Sequence, residues 1–149
     1  MVAAHQAGDP PAGIPVFEDA KFGCSPTGFD GALTTPDCYI SVPELAADGR
    51  TLVVRARGDS MVNTADPTIS IPNGAYVAIQ KANLATPMWG EVYALSTDDG
   101  CIIKRLYPSE RAGYVKCVSY NQEYPPFELR ADEIHDLAIV KAVVTVSLR

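Results

Sequence analysis

The sequence predicts an all-β protein: a strongly bent, barrel-like and mostly antiparallel sheet, preceded by a flexible N-terminal arm. Three observations carry this expectation. From residue 50 onward the dominant hydrophobic period is two, in segments rich in Val, Ile and Tyr, as in strands that point alternate side chains to opposite faces. Gly, Pro, Asn or Asp separates each segment from the next, which is the punctuation of turns. Finally, eleven Gly and Pro residues fall in the first 43 positions and none in 127–149, so a loosely built lead precedes a compact body.

In chain order, residues 1–13 read as a linker, 14–43 as the arm and 44–149 as the body. A short helical piece is expected at Pro43–Ala47, stopped at Gly49. Strands are predicted at Thr51–Arg57, Ala75–Lys81, Glu91–Thr97, Cys101–Tyr107, Tyr114–Tyr120 and Leu137–Leu148. Pro72-Asn73-Gly74 forms a turn just before the second of these. Asp98-Asp99-Gly100 marks a hairpin, because Gly takes the positive φ that tight turns require. A second helical piece is expected at Ala131–His135. The last strand is apolar at nearly every position apart from Lys141. Such a strand is either central in its sheet or covered by a partner subunit, and the second option points to a homodimer.

Composition excludes several function classes. The chain has 149 residues, 12 Lys plus Arg against 18 Asp plus Glu, and a net charge of −6. That balance, without a Lys/Arg cluster, is unlike a chain that grips nucleic acid through bulk charge. No run of about 18 apolar residues exists to cross a membrane. The start lacks the basic and apolar regions of a secretory signal, so the expected compartment is the cytoplasm. Cys24, Cys38, Cys101 and Cys117 include no C-x-x-C pair, and His5 and His135 are the only histidines. The cysteines therefore read as free thiols of a reducing compartment rather than metal ligands or disulfides. No cofactor is expected.

Two short segments carry chemistry. Arg57-Gly58-Asp59-Ser60-Met61 follows a predicted strand, where Gly58 can set Ser60 on a tight turn with backbone amides nearby to bind an oxyanion. Ile102-Ile103-Lys104-Arg105-Leu106 lies on a strand, with Lys104 sharing a face with Ile102 and Leu106. A free lysine is neutral only about once in 2,500 at pH 7. Desolvation between apolar neighbours lowers its pKa and makes it a usable general base. Arg105 has apolar neighbours too, Ile103 and Tyr107, so alternation does not choose the inward residue. Chemistry favours Lys104, since a guanidinium cannot serve as a base. A Ser and a Lys form a complete nucleophile–base pair without histidine. A Ser60–His135 alternative has no motif behind it beyond Asp136.

Gly58-Asp59-Ser60-Met61, Pro72-Asn73-Gly74, Trp89-Gly90-Glu91-Val92, Lys104-Arg105-Leu106 and Ser119-Tyr120-Asn121-Gln122-Glu123-Tyr124-Pro125-Pro126 follow one another in a characteristic order. This ordered set resembles the LexA/UmuD/phage-repressor family of Ser-Lys autopeptidases over about residues 14–148. The resemblance implies a bent all-β peptidase domain that is usually dimeric. Ser60 would be the nucleophile, Lys104 the general base, and backbone amides near Asp59 and Ser60 the oxyanion hole. It also implies a substrate within the chain itself. Pro15-Val16-Phe17, followed by Phe22-Gly23 and Ser25-Pro26, aligns the cut with the Phe22–Gly23 bond. Phe22 stands where the family has a small residue. Ala7–Gly8 has the expected dipeptide in the wrong register. RecA filaments on single-stranded DNA would activate cleavage, in an SOS-type DNA damage response. DNA contact would come through a helix-turn-helix that residues 1–13 cannot form. The readings that follow are the autoproteolytic domain of a repressor, a UmuD-like accessory subunit of an error-prone polymerase, or a repressor dimerisation module that does not cut itself.

Overall fold

The computed structural model describes residues 13–18, 36–42, 44–45 and 49–145. Nine strands make one sheet: β1 (Ile14–Phe17), β2 (Cys38–Ile40), β3 (Thr51–Arg55), β4 (Tyr76–Lys81), β5 (Val92–Thr97), β6 (Gly100–Pro108), β7 (Tyr114–Val118), β8 (Phe127–Arg130) and β9 (Ile134–Val144). Their order is β2-β1-β3-β4-β9-β5-β6-β7-β8. All neighbours are antiparallel except β1 and β3, which are parallel. The all-β expectation is met, and the sheet stays open, with β2 and β8 as its edges.

The expected strands form within a residue or three of their predicted ends, apart from the last. It begins earlier, at Ile134, and the structure describes it to Val144. Ala131–Glu133 is a single 3-10 turn leading into it. The Pro43–Ala47 helix falls mostly outside the described residues. Within it, Glu44 takes φ 74°, which is not helical backbone. Pro67–Ile69 forms another 3-10 turn, with the Asp66 side chain accepting from Thr68 N.

Strand β9 is central, held by β4 on one side and β5 on the other; Leu137 and Ala138 are buried, whereas Val143 near its end is 38% exposed. It also carries two bulges. Opposite β4 the register jumps from Ala78↔Ala142 to Ile79↔Val140, which leaves Lys141 without a partner in the ladder. Opposite β5 it jumps from Ser96↔Asp136 to Thr97↔Ile134, which leaves out His135. Each bulge bends its strand and increases the local twist. The sheet accordingly curls, and Val54 of β3 packs in one core cluster with Cys101 and Ile103 of β6, although β4, β9 and β5 lie between those strands in the sheet. At about 4.8 Å per strand, a flat sheet would hold β3 and β6 roughly 19 Å apart. A second cluster, around Tyr93, Leu95, Leu106 and Cys117, fills the β5–β6–β7 end.

Strands β1, β2 and β8 are not among the strands expected from sequence. Pro15 interrupts β1, β2 has three residues, and β8 carries charge at Glu128 and Arg130, so none shows a period-two signal. Pro15 is tolerated because the ladder with β3 begins only at Val16. Within the part read from sequence as a loose arm, β1 is firmly built in: Ile14 and Val16 are 1% and 2% exposed.

Candidate active site

Ser60 reaches its position through a loop held at several points, with Arg57, Gly58 and Asp59 exposed. After β3, Ala56 N donates to Ala75 O at 2.8 Å and Gly74 N to Ala56 O at 2.9 Å. Gly58 then turns at φ 85°, with open space where a Cβ would stand. Its N–H donates to the Asn73 side chain at 3.0 Å, so the Pro72-Asn73-Gly74 turn serves the Ser60 loop as well as β4. Val62 N closes the next turn on Asp59 O at 3.1 Å, with Ser60 inside it. Met61, 4% exposed, roots that turn in the core.

Lys104 comes from the middle of β6 and is 8% exposed. Its Nζ donates to Ser60 Oγ at 2.7 Å. The choice that alternation left open is therefore made by packing. Lys104 and Leu106 face inward, whereas Arg105 lies partly exposed, 5.2 Å from the centroids of both the Tyr107 and Tyr120 rings. Burial holds the Lys104 ammonium below its ordinary pKa. Cys117 on β7 opposes this only as a thiolate, and burial pushes that thiol up to about 11. A cleft of about 150 Å³ opens beside the pair, with apolar walls that include Val54, Ala56, Met61, Ile71 and Ile103. The cleft thus sets a serine hydroxyl and a buried lysine amine side by side against an apolar wall.

The loop after β7 supplies the residues that the sequence reading did not assign. Asn121 N donates to Ser60 O at 2.9 Å, and Asn121 Nδ2 to Asp59 O at 3.2 Å. The Tyr124 hydroxyl donates to the Asp59 carboxylate, and its ring centroid lies 5.9 Å from Lys104 Nζ. The only signal for these was their place in the ordered motif set, because hydrogen bonds across 62 to 65 residues leave no periodicity.

His135 pairs with Asp98 on the β5–β6 turn, not with Ser60. Among the described residues Cys38, Cys101 and Cys117 are not joined in disulfides, and no group of three or more His, Cys, Asp or Glu side chains is placed to hold a metal ion. No helix among them is long and apolar enough to cross a membrane. The bonds Phe22–Gly23 and Ala7–Gly8, together with His5 and Cys24, lie outside the described residues.

Compared with known proteins, the chain matches no individual curated sequence. The family described as Peptidase S24-like matches it over residues 15–144, which includes every strand but the first residue of β1. With a bent all-β sheet and the ordered motifs already in place, the chain belongs to the Peptidase S24-like family, that of the LexA, UmuD and phage-repressor peptidase domains.

Proposed function

We propose that this chain is an autoproteolytic regulatory domain of the LexA or phage-repressor type, cutting its own N-terminal arm with Ser60 as nucleophile and Lys104 as general base. The observation that supports this most is the 2.7 Å contact between Lys104 Nζ and Ser60 Oγ, with the lysine desolvated. In the neutral state Lys104 accepts the Ser60 proton as Oγ attacks the carbonyl carbon, and the backbone amides near Asp59 and Ser60 stabilise the oxyanion. Lys104 then returns the proton to the leaving amine, and the C–N bond breaks to give an ester on Ser60. Water, deprotonated by Lys104, hydrolyses that ester.

The substrate bond is Phe22–Gly23. It lies between β1 and β2, whose flanks are stapled: Glu18 N donates to Asp37 Oδ2 and Asp37 N to Val16 O, each at 2.8 Å. Tethering at both ends makes the attack intramolecular, so effective concentration substitutes for a deep substrate pocket. The domain acts as a dimer in an SOS-type response, with the RecA filament raising the population of the docked arm. Phe22 favours a second reading, a dimerisation module that does not cut itself.

One experiment separates the two. Purified protein held at alkaline pH is followed by intact-mass spectrometry, beside Ser60→Ala and Lys104→Ala. Fragments meeting at Phe22–Gly23, absent in both variants, are the expected result. An intact wild-type chain after prolonged incubation, with and without the RecA filament, assigns the domain to the second reading.

A further inference from the structure

One side chain bears on both members of the Ser60–Lys104 pair without belonging to it. Tyr124 donates its hydroxyl to Asp59, the residue before Ser60, and sets its ring 5.9 Å from Lys104 Nζ. Although Tyr124 is 42% exposed, it is not a loose surface group. Its N–H donates to Asn121 O at 3.1 Å, and Asn121 is itself bonded to the backbone of Asp59 and Ser60. The turn it holds needs such support, because Gly58 and Asp59 are exposed and no Cβ packs at Gly58.

We propose that Tyr124 is a positioning residue of this site: its hydroxyl fixes the Ser60 turn through Asp59, and its ring roofs the Lys104 ammonium. The proposal rests on the reading of Ser60 and Lys104 as nucleophile and base. Its physical basis is tolerance. A catalytic pair must be held within about 0.5 Å of its working geometry, and a glycine-hinged turn does not hold itself. Hydrogen bonding to Asp59 raises the Tyr124 pKa above its ordinary value. That shift favours the protonated phenol, which is the form that donates to Asp59. The ionisable groups set against Lys104 are Tyr93, its register partner on β5, Cys117 from β7 and Tyr124 from the following loop, with Asp59 behind the Tyr124 hydroxyl.

The test measures how fast a fluorophosphonate probe labels Ser60 in the full chain between pH 7 and 10. It compares wild type with Tyr124→Phe, Asp59→Ala, their double mutant and Tyr124→Ala. Tyr124→Phe and Asp59→Ala should each lower the alkaline plateau about tenfold, the scale of one hydrogen bond to a charged group. The double mutant should be no slower than either single, because one interaction is lost in all three. Tyr124→Phe, which keeps the ring over Lys104, should leave the pH midpoint in place, whereas Tyr124→Ala, which removes it, should move the midpoint. Wild-type labelling rates in Tyr124→Phe, or additive losses in the double mutant, overturn the positioning role alone. A wild-type chain that is not labelled overturns the Ser60–Lys104 reading and this proposal with it.

Discussion

A lysine held between apolar neighbours is a conflict between folding and chemistry at a single residue. Burial disfavours the charged form of Lys104, so the folded chain binds fewer protons there than the unfolded chain. With the folded pKa below the unfolded one, stability is lowest at pH values below the folded pKa. It rises as pH climbs through the folded pKa toward the unfolded value. Lys104→Met keeps the stem and removes the charge. It should abolish self-cleavage yet match or exceed wild-type stability at pH 7, with the advantage fading near pH 10. Urea unfolding at the two pH values measures this, and a strongly destabilised Lys104→Met would mean that the ammonium is structurally required. The residue types Ser60 and Lys104 were legible because few pairs make a nucleophile and base without histidine. Which of Lys104 and Arg105 points inward was not, since both have apolar neighbours. Packing decided it: Arg105 lies between the ring of Tyr107 on its own strand and that of Tyr120 after β7, while Lys104 is buried.

Among the elements, β9 shows best how a local pattern can be plain while its consequence is hidden. Its apolar run announced a central or covered strand. Its two bulges did not announce themselves, because a bulge is a mismatch between two strands and each strand looks regular alone. Lys141 is one of the skipped residues. Replacing it with Thr should change stability by no more than about 0.5 kcal/mol, as at an ordinary exposed site. Deleting it should cost more, because Val140 and Ala142 would then stand opposite Ile79 and Ala78 in a regular ladder, and the bend and twist that the bulge supplies would be lost. Thermal unfolding of the two variants distinguishes them, and equal midpoints would show that the bulge is dispensable. Strands β1, β2 and β8 were hidden for a different reason. They are three or four residues long, and their pairing partners rather than their own sequences make them strands.

Across the whole molecule, the position of β1 sets what a cut can do. Ile14 and Val16 are fully buried between β2 and β3, and each contributes roughly 1.5–3 kcal/mol by burial. A cut at Phe22–Gly23 separates β1 from the body covalently and makes it a strand that can leave. After cleavage there and dilution, the thermal midpoint of the body should fall by several degrees. A cut at Ala7–Gly8 would leave β1 attached and the midpoint unchanged, so calorimetry on the cleaved product identifies the bond independently of mass.

Fold class, most strand positions, the hairpin at Gly100 and the residue types of the candidate dyad could be read from the chain's local patterns. All of these depend on neighbours within a few positions, where periodicity and turn chemistry act. That Ser60 and Lys104 meet, that Lys104 rather than Arg105 is buried, and that Asn73, Asn121 and Tyr124 converge on one turn emerges only in the folded chain. These outcomes depend on how far the sheet curls. The curl arises from bulges and cross-strand packing between segments distant along the chain, which no local pattern records.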